Sequence, residues 1–162
     1  MLGVALFFIG AVLIVNGVGL TGRIEGRDSA IFNLLVGLLA LLLNVVGLLQ
    51  ATASSGYLGA AGGLLFAFTY LYLAGVQWGN LKGTGLGWYC LFVALSALVY
   101  AALAFGEDLR VSGMWLVWAS LWFLFFLALG LQRVWRLLPA YTVAVGVGTC
   151  WVPGMLMLTG RW

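Results

Sequence analysis

What most constrains this chain is where its charges are absent. It carries seven Lys or Arg, four Asp or Glu and no histidine in 162 residues, and none of them falls within six apolar runs. The runs cover about residues 2–20, 30–49, 57–76, 86–105, 114–131 and 139–159. Each approaches the roughly 20 apolar residues that cross a hydrocarbon layer. A backbone crossing hydrocarbon must pair its own N–H and C=O groups, so a run of this kind can be accommodated only as a helix. The expected fold is therefore an all-α membrane protein, a six-transmembrane-helix bundle forming one transmembrane domain over residues 1–162. Charged residues make up 7% of the chain and mean hydropathy is +1.17. A typical globular domain is about 25% charged. The six runs leave only short turns, with no room for a soluble domain.

The turns are legible in order. TGRIEGRD closes the first run with Arg23, Glu25, Arg27 and Asp28; ATASSG follows the second, and QWGNLKGTG, with its glycines and Lys82, follows the third. GEDLR and QRVWRLLP separate the last three, and Pro139 opens the sixth run, where a first-turn N–H is unpaired in any case. Pro153 lies inside that run and predicts a kink. Turns one, three and five hold Arg23, Arg27, Lys82, Arg133 and Arg136, against Arg110 and Arg161 on the other side. Positive residues favour the cytoplasm, which puts the odd turns inside and both termini outside. The opening MLGVALFFIGAVLIVNG lacks a basic leader and a small-x-small cleavage site, and reads as a retained first span. Twenty-four glycines, Gly59 and Gly63 among them, predict close helix contacts.

The same pattern excludes several functions. Ionisable groups inside spans mark proton relays, ion paths and voltage sensors. Their absence argues against a pump, a proton-coupled carrier or an ion channel, and points to a neutral cargo moving downhill. Enzyme chemistry lacks its parts: there is no base to activate Ser or Cys, no carboxylate pair at depth and no phosphate-cradling loop followed by Lys. Cys90 and Cys150 have no metal-ligand spacing, so no metal, haem, other cofactor or structural disulfide is expected. The few cations sit in turns, not in a patch that could track phosphates, so nucleic acid is not an expected partner.

What remains is neutral and aromatic. The third run contains GGLLFAFTYLY, in which Phe68 and Tyr72 lie four residues apart on one helical face. The fifth run answers with Trp115, Trp118 and Trp122 at i, i+3 and i+7. Trp and Tyr also populate membrane interfaces, which accounts for Trp88, Trp135 and Trp162. Trp122 is about eight residues into its run, or roughly 12 Å deep at 1.5 Å per residue, too deep for that belt. Pattern alone leaves two readings of Phe68, Tyr72, Trp118 and Trp122: walls of a narrow route for a small flat molecule, or packing between helices. Asn44, Ser96 and Ser120 read as interhelical hydrogen bonders. Asn16, near the end of the first run, reads either as a packing group or as an amide offered to a permeant.

Six segments occur in the order found in one known family. MLGVALFFIGAVLIVNG, LVGLLALLLNVVGLL, LLFAFTYLY, WYCLFVAL, WLVWASLW and TCWVPGMLM together resemble the AmiS/UreI family of urea and short-chain amide channels. The resemblance implies six transmembrane helices in the cytoplasmic membrane, both termini outside, and a homo-hexameric ring whose protomers each hold a pore around a lipid-filled centre. By position it assigns the pore lining to Leu2, Leu6, Ile9, Leu13, Phe68, Tyr72, Trp115, Trp118 and Trp122. It implies urea or small aliphatic amides as permeants. Two departures stand out. Val145 occupies a position where the family usually has glutamate, and no histidine is available for the acid gating found in some members, so flux without acid gating is expected. The competing reading is a non-transporting scaffold subunit that packs through its aromatic faces.

Overall fold

A computed structural model describes residues 1–162 and is helical throughout apart from short turns. The helices are α1 Leu2–Gly19, α2 Gly26–Gln50, α3 Ser54–Trp78, α4 Thr84–Ala104, α5 Leu109–Phe125, α6 Leu138–Val145 and α7 Val152–Leu158. Wide π-helical turns continue α5 over Phe126–Gly130 and join α6 to α7 over Gly146–Trp151. Six continuous segments are thus long and apolar enough to cross a membrane, the fifth being Leu109–Gly130 and the sixth Leu138–Leu158.

Helix ends outrun the apolar runs where a charged residue can sit at the interface. α2 starts at Gly26 and takes Arg27 and Asp28 into its first turn, where a carboxylate complements the positive end of the helix dipole. α5 starts at Leu109 because Asp108 caps it, accepting the Arg110 backbone N–H at 2.8 Å. The Arg110 guanidinium returns to the same carboxylate at 2.8 Å and lies 4.5 Å from the centre of the Trp162 ring.

The helices associate as three antiparallel pairs: α2 with α3, α4 with α5, and α1 with the sixth segment. Glycine makes the last pair possible. Gly3, Gly10 and Gly17 repeat every seventh residue and present one bare stripe of α1. A methyl added at Gly10 would stand 2.6 Å from the Trp151 backbone nitrogen, and one at Gly17 would stand 2.8 Å from the Pro139 carbonyl. Gly146 and Gly154 return the fit from the other side, against Gly10 and Gly3. Small residues let backbones touch where lipid offers no hydrophobic drive for association. Of the pair Gly59 and Gly63, only Gly63 seats a neighbour, Asn44 of α2; a side chain at Gly59 would meet nothing within 4 Å.

The irregularity expected at Pro153 appears in the turn before it. Pro153 has no N–H to offer the Thr149 carbonyl, and the preceding residues widen into the π-helical turn. Asn44 departs from expectation: its amide bonds back to the Ala40 carbonyl of its own helix at 2.7 Å. Ser120 does cross between helices, to the Tyr141 hydroxyl. The interior is built from Leu6, Ile9 and Leu13 of α1, Phe66 and Tyr70 of α3, Trp118 and Trp122 of α5, and Cys150. Leu35, Leu42, Leu95 and Leu103 point outward, as expected where lipid is the solvent.

Candidate functional site

Every second residue of the sequence from Phe66 to Tyr72 is aromatic, so a helix through it carries two i, i+4 pairs on nearly opposite faces. Two residues along a helix is a rotation of about 200°, and only one pair can face the interior. The structure turns Phe66 and Tyr70 inward, at 4% and 1% exposure, and Phe68 and Tyr72 outward, at 47% and 45%. Phe68 and Tyr72, expected by resemblance in the pore lining, therefore lie on the outside of the protomer. The inward face of α3 continues through Thr69, Leu73 and Gln77, at helical spacing from Phe66.

The tryptophans of α5 converge on that face. The Phe66 ring centre is 5.0 Å from Trp118 and 4.9 Å from Trp122, both edge-to-face, and 5.8 Å from Trp115. Trp115 is half-buried, 4.9 Å from Trp118 and stacked on Tyr100 of α4 at 4.4 Å. Each of the two deep indoles is held by a threonine. Trp118 donates Nε1–H to Thr149 Oγ1 at 2.9 Å, and Thr149 donates to the Val145 carbonyl at 2.7 Å. Trp122 donates Nε1–H to Thr69 Oγ1 at 3.1 Å, and Thr69 donates to the Leu65 carbonyl at 2.7 Å. A hydroxyl that accepts from the ring and donates to its own helix four residues back satisfies both groups and fixes each ring plane. Val145, where a glutamate was expected by resemblance, is a buried core residue whose carbonyl completes the first of these chains.

Beside Trp122 lies a cavity of about 210 Å³. Its walls include Leu13 and Asn16 of α1, Thr69, Tyr70 and Gln77 of α3, and Trp122 of α5, and no charged residue. It opens around Gly19, Leu20, Ile24 and Gly26, at the first turn. A water's share of liquid volume is about 30 Å³, so there is room for several small molecules. The Tyr70 hydroxyl, in a ring that lines this cavity, is buried and has no hydrogen-bond partner. Leaving such a group unpaired costs about 1–3 kcal/mol.

The remaining sequence-derived candidates divide. Leu13 lines the cavity, while Leu6 and Ile9 are buried beyond it beside the Phe66–Trp118 cluster. Leu2, at 59% exposure, stands at the N-terminal end of α1 and does not join them. The hollow thus covers the half of the bundle nearer the first turn, and the Phe66–Trp118 cluster packs beyond it.

At the mouth a carboxamide cluster ties three helices together. Asn16 and Asn33 bond reciprocally, Nδ2–H to Oδ1, at 2.9 and 2.7 Å. Asn33 also donates to the Ser29 carbonyl at 2.9 Å and to Gln77 Oε1 at 3.0 Å. Phe66, Asn33 and Gln77 escaped the sequence reading. Phe66 belonged to the aromatic alternation described above. Asn33 and Gln77 lie close to polar turns, where an amide carries no signal of burial. No three His, Cys, Asp or Glu side chains gather where they could hold a metal ion.

A six-helix bundle enclosing an uncharged, amide- and ring-lined cavity defines a multi-pass membrane protein of the channel or transporter class. The chain belongs to the AmiS/UreI family: the family's pattern, described as AmiS/UreI family transporter, matches residues 1–161. AmiS2 of Rhodococcus erythropolis, whose assigned role is transport, is 43% identical over 163 aligned positions, covering 98% of this chain and 79% of that one. The acid-activated urea channel of Helicobacter pylori is 31% identical over 195 positions, covering both chains fully. Two solved structures of the H. pylori urea channel share the fold. The closed state seen by cryo-electron microscopy superposes with a TM-score of 0.89 at 30% identity over the whole of both chains. The crystal structure gives 0.88 at 33% identity over 100% of this chain and 99% of that one.

Proposed function

We propose that the protein is a passive channel for urea and short-chain aliphatic amides in the cytoplasmic membrane, open without acid activation. The observation that carries this reading is the cavity beside Trp122, uncharged and bordered by the unpartnered Tyr70 phenol. A planar amide entering from the first turn slides edge-on toward Trp122. There the Tyr70 hydroxyl, buried and unpaired at rest, turns to the permeant and replaces part of its water. An ion has far more hydration to lose in such a site and is turned back. Passage beyond Trp122 requires Phe66, Trp118, Leu6 and Ile9 to part, so the packed arrangement is a closed or resting one. The pore lining we assign is Leu6, Ile9, Leu13, Phe66, Tyr70, Trp115, Trp118 and Trp122, with Leu2 at the outer entrance. The urea-channel role of the H. pylori relative supports the permeant class.

Freedom from acid gating rests on what the outer side contains. The alignment with the acid-activated channel runs to 195 positions, so 33 have no counterpart among the 162 residues here. The α2–α3 connection is Ala51–Ala53 and histidine is absent throughout. The five Lys and Arg clustered at the odd turns, against two opposite, support both termini outside. The outward Phe68 and Tyr72 are available for contact between protomers in a homo-hexamer around a lipid core. The deciding experiment is equilibration of urea and acetamide into liposomes holding the purified protein. Flux well above protein-free vesicles is expected, whereas a scaffold subunit would leave it at the lipid background.

A further inference from the structure

The carboxamide cluster at the cavity mouth has more donors than the fold uses. Asn33 has two N–H groups and three acceptors in reach: Asn16 Oδ1, the Ser29 carbonyl and Gln77 Oε1. Its own oxygen accepts from Asn16. The reciprocal Asn16–Asn33 pair is therefore closed, and Asn33 is satisfied without Gln77. Gln77 is attached to it only through Oε1, which turns the Gln77 amino group away from Asn33, and neither Nε2–H meets an acceptor in the protein. One N–H of Asn16 is likewise unused. Asn16 and Gln77 line the cavity, and Asn33, with no exposed surface, stands behind them. The mouth thus offers three free N–H donors; Asn33 holds the Asn16 oxygen, while Gln77 Oε1, 3.0 Å from the same amide, shares an N–H already given to another acceptor. Tyr70, whose ring lines the same cavity, carries a further polar group without a partner, a hydroxyl buried in the wall.

We propose that Asn16 and Gln77 form a subsite for the carbonyl oxygen of a neutral primary amide or urea, placed where the permeant first sheds water. The proposal rests on the channel reading above and adds to it the group recognised and the residues that recognise it. An array of N–H donors distinguishes permeants by acceptor strength. A carbonyl oxygen accepts well and sulfur weakly, so the site prefers acetamide to thioacetamide, although the two have nearly the same shape. Gln77 is the residue to change, because the fold does not need its hydrogen bond.

The test is stopped-flow uptake of acetamide and thioacetamide by proteoliposomes, for wild type, Gln77→Met and Gln77→Asn. Wild type is expected to favour acetamide beyond the ratio in protein-free vesicles. Gln77→Met, of similar length with no donor, should lower that preference about five- to tenfold, the equivalent of one lost hydrogen bond. Gln77→Asn keeps the donors and should retain part of the preference. Equal losses for both solutes in Gln77→Met, or an unchanged ratio, would overturn the subsite. Should Gln77→Met not be recovered as folded protein, a wild-type ratio no higher than that of bare lipid overturns it equally. Wild-type uptake of both solutes at the lipid rate is a different result, which removes the channel itself.

Discussion

Thr69→Val is the substitution that most directly tests how the rings are held. Valine keeps the shape of threonine and removes the oxygen that accepts the Trp122 indole N–H at 3.1 Å. Trp122 is 2% exposed, so beyond the cavity beside the ring the orphaned donor has no partner to turn to. Two magnitudes compete. An unpaired buried donor costs about 1–3 kcal/mol, while side-chain hydrogen bonds between membrane helices average about 0.6 and reach about 1.7 kcal/mol, because the unfolded chain in lipid also finds partners. The Trp122 bond joins two helices at depth, and the bond Thr69 makes to Leu65 stays within its own helix and is lost without a cross-helix cost. We therefore expect a loss of about 1–1.5 kcal/mol, where those ranges overlap. Reversible unfolding in mixed micelles measures it, and Thr69→Ser, which keeps the acceptor, should restore most of it. A double-mutant cycle with Trp122→Phe isolates the pair. A coupling energy of zero in that cycle would refute the claim that Thr69 anchors the ring.

Tyr70→Phe removes a buried hydroxyl with no partner, so stability should hold or rise by about 1 kcal/mol while amide uptake falls; a clear loss of stability would show that the phenol is bonded. Gly10→Ala puts a methyl 2.6 Å from the Trp151 nitrogen and should cost about 1–3 kcal/mol, seen as a lower midpoint in thermal unfolding, whereas Gly59→Ala, in open space, should be neutral. Lowering the outside pH from 7.5 to 5 should leave urea uptake flat. The Arg110 side chain holds the Asp108 carboxyl below the usual carboxylate range. A depressed folded-state pKa gives stability that is present above the unfolded value and lost only as pH falls through the folded one, below this window. A steep rise in uptake toward pH 5 would refute ungated flux.

The membrane fold could be read from the chain because a missing charge is a strong statement in hydrocarbon, where every ionised group carries a solvation cost. Six uncharged runs were enough to place six helices. Their ends shifted because Arg27, Asp28 and Arg110 are tolerated within a helix once they reach the interface. The site was half legible. Trp115, Trp118 and Trp122 share one face at helical spacing, and the structure gathers them. On α3 the spacing argument had two solutions, since Phe66 and Tyr70 are four apart just as Phe68 and Tyr72 are, and hydrophobicity does not separate them. Thr69 breaks the tie only when its bond to Trp122 is known. The π-helical turns were out of reach, because a one-residue change in hydrogen-bond register leaves hydropathy unaltered.

The glycine stripe on α1 has a mechanical consequence. With α1 and the sixth segment touching backbone to backbone, they have no side-chain layer between them to slide on, and Asn16–Asn33 fastens α1 to α2 as well. The α4–α5 hairpin is joined to the other helices by side-chain bonds instead, Trp118 to Thr149, Trp122 to Thr69 and Ser120 to Tyr141, which can part where touching backbones cannot; it is the movable wall, and α5 carries all three tryptophans. Spin labels placed across α1 and the sixth segment should report a single fixed separation with and without permeant, and labels across α1 and α5 a distribution that broadens. The protein would then work like a door whose frame is four helices and whose leaf is one hairpin, its two helices locked together where Gly87 of α4 meets Gly130 at the end of the fifth segment.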